Sequence, residues 1–242
     1  MKDWKYDIRT VGYHLFPQYA SQELVTQARQ AIDNDIAVNY DSSRQVEYDH
    51  QSYCPSLRKN SAITNLLVKS PICAILDEAF GWDNIENYSV NGGQIAIRQA
   101  HNAQKPVPPM WHVDGIPTPN NGVKGTRIQN FSALVGIFLT PVTQLYAGNF
   151  TVWPGSHYKI EKYFRDRGPT AMNEGFPQIS LSESPVQLQG KAGDVVLCHY
   201  ALGHAATANI SGNDRIAVFF RIFLKNTDNW KMLTNLWTGW KI

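Results

Sequence analysis

Cysteine is scarce in this chain: Cys54, Cys73 and Cys198 are all that 242 residues contain. Their odd count and unrelated spacings exclude a disulfide ladder, and no CxxC pair is present, so a reducing compartment is expected. No apolar run approaches the roughly 18 residues that a membrane span needs. The start, Met1-Lys2-Asp3-Trp4-Lys5-Tyr6-Asp7, is charged and lacks the apolar stretch of a secretory signal. The sequons Asn149-Phe150-Thr151 and Asn209-Ile210-Ser211 are therefore read as accidental, and the protein is expected in the cytoplasm. A surplus of positive charge is also missing. The formal net charge is +2 with no Lys/Arg run, which argues against a nucleic-acid partner and for small molecules. Repeats, low-complexity tracts and linkers are absent, so one domain spanning 1–242 is expected. Nothing here fixes the oligomeric state.

What is present is ordinary globular material, 43% hydrophobic and 17% charged, with enough apolar side chain for a core. Leu24, Val25, Ala28, Ala31 and Ile32 recur at helical spacing and predict a helix over 21–36. A second helix is predicted over 63–80, broken or restarted by Pro71 and stopped by Gly81. From Tyr88 the texture changes to short apolar runs between Gly/Pro/Asn turns: 94–99, 128–139, 150–153, 186–188, 195–199 and 216–224. Many short strands without intervening helices predict a mainly β sandwich or barrel, flanked by the helices of about 20–80. Two longer stretches, 115–124 and 158–185, are candidate lids; the second opens with a helical-looking charged segment.

The chemistry concentrates in His112-Val113-Asp114, His204 and Arg215. Residues two apart on a strand share a face, so His112 and Asp114 can reach one ion. By itself this spacing is weak, because it arises by chance and a lone histidine is usually a surface or hydrogen-bonded core group. With His204 from an adjacent strand, however, two imidazoles and a carboxylate make the facial set of non-haem Fe(II), leaving three positions open. Zinc accepts the same ligands, which keeps a zinc hydrolase open. Arg215 argues against that alternative. If His204 and Arg215 flank a hairpin turning at Ser211-Gly212-Asn213, Arg215 pairs near Ala208, roughly 13 Å of strand from His204 at about 3.3 Å per residue. A five-carbon diacid and an extended guanidinium span that gap, with one end of the diacid on the metal and the other clamped.

These residues resemble the phytanoyl-CoA dioxygenase family of Fe(II)/2-oxoglutarate-dependent oxygenases. The resemblance runs through Trp111-His112-Val113-Asp114-Gly115, Gly148-Asn149-Phe150-Thr151-Val152-Trp153-Pro154-Gly155-Ser156-His157, Gly193-Asp194, His204, Asn209, Ser211 and Arg215. It implies a double-stranded β-helix (a cupin-like jelly roll) over about 88–225, with helices on one outer face. It further implies that His112, Asp114 and His204 bind Fe(II) and that Arg215 binds 2-oxoglutarate. With O2, such a site hydroxylates a small metabolite and releases succinate and CO2. Gln94 resembles a co-substrate contact of the family and Ser132 is a weaker one, although both also suit the barrel wall. Where some relatives carry a serine co-substrate contact two residues after the distal histidine, this chain has Ala206. Halogenating relatives replace the carboxylate by Ala or Gly, so Asp114 implies hydroxylation or a related oxidation and not halogenation. A catalytically silent, metabolite-binding relative is the remaining alternative.

Arg98, Trp111, Trp153 and Arg221 are candidate substrate contacts. Arg221 shares the parity of Arg215, and a structural ion pair is the favoured reading for it; the tryptophans more often serve packing at such places. His157 is expected to stabilise its own turn, His199 to be a wall residue, and Cys198 to be core.

Overall fold

A computed structural model describes residues 3–101, 105–181 and 184–242. After α1 (Trp4–Thr10) and β1 (Tyr13–Phe16), α2 (Gln22–Asn39) starts where the Ser21 hydroxyl accepts from the Leu24 amide. It buries Val25, Ala28 and Ile32, one stripe of its surface. A short α3 (Gln45–His50) follows. The predicted helix over 63–80 is two helices, α4 (Ser61–Val68) and α5 (Ile72–Phe80), because Pro71 has no N–H to continue the first and caps the second. Gly81, at φ +79°, ends α5 as expected. A four-residue α6 (Asn87–Val90) leads into the sheets.

The strands are β2 (Gln94–Arg98), β3 (Ala133–Phe138), β4 (Phe150–Val152), β5 (Val186–Gln187), β6 (Val195–His199), β7 (His204–Ala206) and β8 (Arg215–Ile222). They form two antiparallel sheets, ordered β1-β6-β3-β8-β2 and β5-β4-β7. The five-stranded sheet is buried on both faces, so β3, β6 and most of β8 carry almost no polar residue. In β8, Val218, Phe220 and Ile222 pack with the helices, while Ala217 and Phe219 pack with the apolar cluster that includes Phe150 and Val152 of the smaller sheet. The result is the mainly β, cupin-like jelly roll with flanking helices. α1, α2, α4 and α5 pack in the cluster of Val218, whereas the helices Ser156–Arg167 and Asn229–Thr234 pack in the cluster of Phe150, so the helices are not confined to the one outer face expected.

One expectation holds and another is corrected. The helical-looking charged start of the stretch from 158 is α7 (Ser156–Arg167), and Ala171 and Met172 of the following 3-10 turn are buried. A final helix, α8 (Asn229–Thr234), packs against α7. More important, His204 and Arg215 do not flank a hairpin. β7 pairs with β4, whereas β8 pairs with β2 and β3, so residues 207–214 cross from one sheet to the other. Asn209 organises the crossing. Its side-chain Oδ1 accepts from the Ser211 amide (3.1 Å) and hydroxyl (2.6 Å), and its Nδ2 donates to the main-chain carbonyls of Arg98 (2.7 Å) and Asn213 (2.9 Å). No helix among the described residues is long and apolar enough to cross a membrane.

Candidate metal centre

His204 lies on β7 opposite Val152, and its other edge meets His112 in a single antiparallel bridge with both N–H···O distances at 2.9 Å. Residues opposed in such a bridge send their side chains to the same side. The two imidazole centroids are 4.5 Å apart. His112 and Asp114 are not on a regular strand, contrary to expectation: the chain leaves the bridge after His112 and turns at Asp114-Gly115. Gly115 sets that turn at φ +86°, and a Cβ there would lie 2.1 Å from the Gln129 carbonyl oxygen. Gly115→Ala must therefore move the backbone beside Asp114. The expected cost is about 2–4 kcal/mol of stability, with weaker metal binding. Urea denaturation and a metal titration read both, and a variant equal to wild type in both would contradict this role.

Asp114 Oδ1 sits 3.6 Å from His112 Nε2 and 3.6 Å from His204 Nε2. The three ligand atoms lie within 4.8 Å of one another, close enough for one ion. The other carboxylate oxygen, Oδ2, accepts from Arg221 Nε (2.9 Å) and Nη2 (2.7 Å). Burial alone would raise the Asp114 pKa, but Arg221 foremost, then His112 and His204, hold it well below the usual carboxylate range. The His112 pKa is lowered, first by desolvation in the cleft and then by His204, although its side chain is 41% exposed. A carboxylate beside a neutral imidazole is the protonation state that a metal requires.

The segment Trp153–His157 positions His204. The Trp153 amide donates to the Gly203 carbonyl (2.9 Å), and the Ser156 hydroxyl accepts from the Gly203 amide (2.8 Å). His204 Nδ1 lies 2.9 Å from the Leu202 carbonyl, the arrangement in which Nδ1–H donates and Nε2 is left for a metal. Phe150, which the sequence analysis missed, packs its ring 5.5 Å from His204 and 5.2 Å from Phe219. Its inward position follows from the alternation Phe150, Val152.

Behind this segment, His199 is a hub and not only wall. Its Nε2 faces the Leu236 carbonyl at 2.8 Å, its Nδ1 accepts from the Ala201 amide at 3.2 Å, and its ring stacks on Trp240. His157 lies 5.6 Å away, with Nε2 3.3 Å from the Arg9 carbonyl. Burial lowers the pKa of His199 to about 3 and of His157 to about 4. Both groups bind a proton more readily unfolded, where histidine titrates near 6.5. Their contribution is therefore complete above pH 6.5 and declines as the pH falls from there toward the folded values, by about 2 kcal/mol each at pH 5. Urea midpoints at pH 7 and pH 5 are expected to differ less in His157→Gln than in wild type; equal differences would contradict the assignment.

Arg215 is 3% exposed. Its Nε donates to the Gly148 carbonyl (2.7 Å) and Nη1 to the Ala96 carbonyl (3.2 Å), and no acidic side chain among the described residues pairs with it. Burial, and then Arg98 opposite it in the β2–β8 register, lowers its pKa to about 9. This is an uncompensated buried cation, which fits a carboxylate ligand. Gly148 packs on both arginines: a Cβ there would lie 2.7 Å from Arg98 Cβ and 3.1 Å from Arg215 Cβ.

The remaining candidates separate. Gln94 is half-buried opposite Phe219, with an amide that bonds to no described residue. The Ser132 hydroxyl is fully buried, with no hydrogen-bond partner among the described residues. Arg98 is 3.8 Å from Asp49, a partner with no sequence signal. Trp111 is half-buried, while Trp153 is 5% exposed, a packing residue. Arg221 makes the structural ion pair considered for it, with Asp114 as its partner. An open cleft of about 890 Å³ between α2, residues 140–144, the crossing segment 211–214 and the start of β8 includes none of the three metal-facing residues.

Solved structures with the same fold include the non-haem α-ketoglutarate-dependent carbocyclase SnoK from nogalamycin biosynthesis (19% identity, TM-score 0.53, covering 92% of this chain and 83% of that one). Another is HygX from Streptomyces hygroscopicus with nickel and 2-oxoglutarate bound (15% identity, TM-score 0.57, 93% and 87%). A third is the non-haem monooxygenase ThoJ (19% identity, TM-score 0.58, 93% and 78%). No curated protein sequence matches. The family model for phytanoyl-CoA dioxygenase (PhyH) matches residues 8–217, a span that holds β1 through the start of β8 and includes His112, Asp114, His204 and Arg215. The chain belongs to the phytanoyl-CoA dioxygenase family.

Proposed function

We propose that this chain is a non-haem Fe(II)/2-oxoglutarate-dependent dioxygenase, carried on one domain, that hydroxylates a small metabolite or natural-product intermediate and releases succinate and CO2. One juxtaposition carries the reading: three donor atoms converge on one point while a buried arginine in the same jelly roll has no acidic partner among the described residues. When bound, Fe(II) and 2-oxoglutarate supply the activation of O2 that oxidation of a C–H bond needs. His112 Nε2, Asp114 Oδ1 and His204 Nε2 hold one face of the metal. Arg215 neutralises the distal carboxylate of 2-oxoglutarate, and the free amide of Gln94 is a second contact for it. Phe150 and Phe219 keep water away from the His204 side. Arg98 and Trp111 contact substrate at the mouth.

Asp114 supports hydroxylation over halogenation, because its carboxylate takes the coordination place a halide would need. A zinc hydrolase would leave Arg215 without a purpose. Binding of nickel and 2-oxoglutarate by HygX agrees with the reading, and the carbocyclase SnoK is a reminder that this fold carries more than one oxidative outcome.

The test is succinate release from aerobic protein given Fe(II) and 2-oxoglutarate, first alone and then with a panel of metabolites. Slow basal release is expected, stimulated by a substrate that returns with one added oxygen. A chain that binds iron yet forms no succinate above a metal-free control would be a silent binder, and the proposal would be wrong.

A further inference from the structure

A facial set leaves three positions on the metal, and a chelating 2-oxo acid with O2 uses all three. That arithmetic holds only if Asp114 contributes a single oxygen. A carboxylate is free to contribute two, and the second would occupy a place that the co-substrate needs. Something in the chain must hold Oδ2 away.

From the geometry at Oδ2 we infer that Arg221 is a positioning residue that keeps Asp114 a one-oxygen ligand. This rests on the iron-site reading above. An arginine facing a carboxylate commonly pairs its two donors with the two oxygens. Here Nε (2.9 Å) and Nη2 (2.7 Å) converge on Oδ2, and Oδ1 alone faces both imidazole Nε2 atoms at 3.6 Å. Arg221 is itself held. It lies on β8 opposite Leu134 of β3, with its guanidinium 6.0 Å from the Phe131 ring centre. Each ligand whose orientation is described thus has its own support: Leu202 for His204, and Arg221 for Asp114. The arginine also answers the charge on Asp114 before any metal arrives.

The experiment uses the full chain loaded with Co(II), whose ligand-field bands report coordination, in the absence and then the presence of 2-oxoglutarate. Arg221→Gln is expected to change the Co(II) bands before 2-oxoglutarate is added, as Asp114 takes a second coordination place. Its affinity for 2-oxoglutarate is expected to fall about tenfold. Arg221→Lys, which keeps the positive charge on a single donor nitrogen, is expected to restore most of both. A folded Arg221→Gln with wild-type Co(II) bands would overturn the inference, whatever its 2-oxoglutarate affinity, since a direct contact with 2-oxoglutarate would leave those bands alone. If Arg221→Gln fails to fold, Arg221→Lys carries the test: bands identical to wild type, with 2-oxoglutarate affinity lowered, would overturn it. Wild-type protein that binds no Co(II) would instead remove the metal-site reading itself.

Discussion

His112→Ala is expected to lose Fe(II) binding at micromolar metal, and with it succinate formation, while the metal-free chain melts within a few degrees of wild type. The two halves of this expectation have separate causes. Removing one of three ligands costs more than the about 10–100-fold that changes around the ligands cost. Stability survives because the His112 side chain is 41% exposed. The bridge that seats it, His112 to His204 in both directions, is made by backbone atoms that alanine keeps. Calorimetric iron titration and a thermal melt separate the two. Retained iron binding would place the metal elsewhere; collapse of the fold would make His112 structural.

Arg215→Met is expected to weaken 2-oxoglutarate binding to the iron-loaded protein about 100-fold, with iron binding itself near wild type. Two charge-assisted hydrogen bonds to one carboxylate are together worth about 3 kcal/mol or more, and each 1.4 kcal/mol is about tenfold in affinity. A compensating effect makes this substitution unusual for a fully buried arginine. Breaking a buried ion pair usually strands the partner charge, but Arg215 has no acidic partner among the described residues. What is lost is its bonds to the Gly148 and Ala96 carbonyls; what is gained is removal of an uncompensated cation beside Arg98. Stability is therefore expected to change by less than about 2 kcal/mol, as a urea titration would show. Large destabilisation with unchanged 2-oxoglutarate affinity would make Arg215 a scaffold residue.

The features legible in the sequence were those written in local pattern. The stripe Val25, Ala28, Ile32 predicts α2, and Pro71 predicts the division between α4 and α5. Apolar runs such as 195–199 predict strands buried on both faces. His112, Asp114, His204 and Arg215 were legible because their residue types and order carry chemistry whatever the topology. Pairing was not legible, because strand partners are chosen by contacts far apart in sequence. The short run 211–213 reads as a hairpin turn, yet Asn209 bends the chain across to the other sheet. Parity placed Arg221 inside the barrel, but nothing in its neighbours named Asp114 as its partner. The role of Ser156 was hidden for the same reason: its hydroxyl meets the Gly203 amide, 47 residues away.

The most direct test is an anaerobic titration of 2-oxoglutarate into the Fe(II)-loaded chain, watching for the visible charge-transfer band that a chelated 2-oxo acid gives with Fe(II). The expected result is a band that needs both components, is absent in His112→Ala, and requires about 100-fold more 2-oxoglutarate in Arg215→Met. A band of wild-type strength in His112→Ala, or a wild-type titration curve in Arg215→Met, would contradict the assignment of His112, Asp114, His204 and Arg215 to one iron and 2-oxoglutarate site.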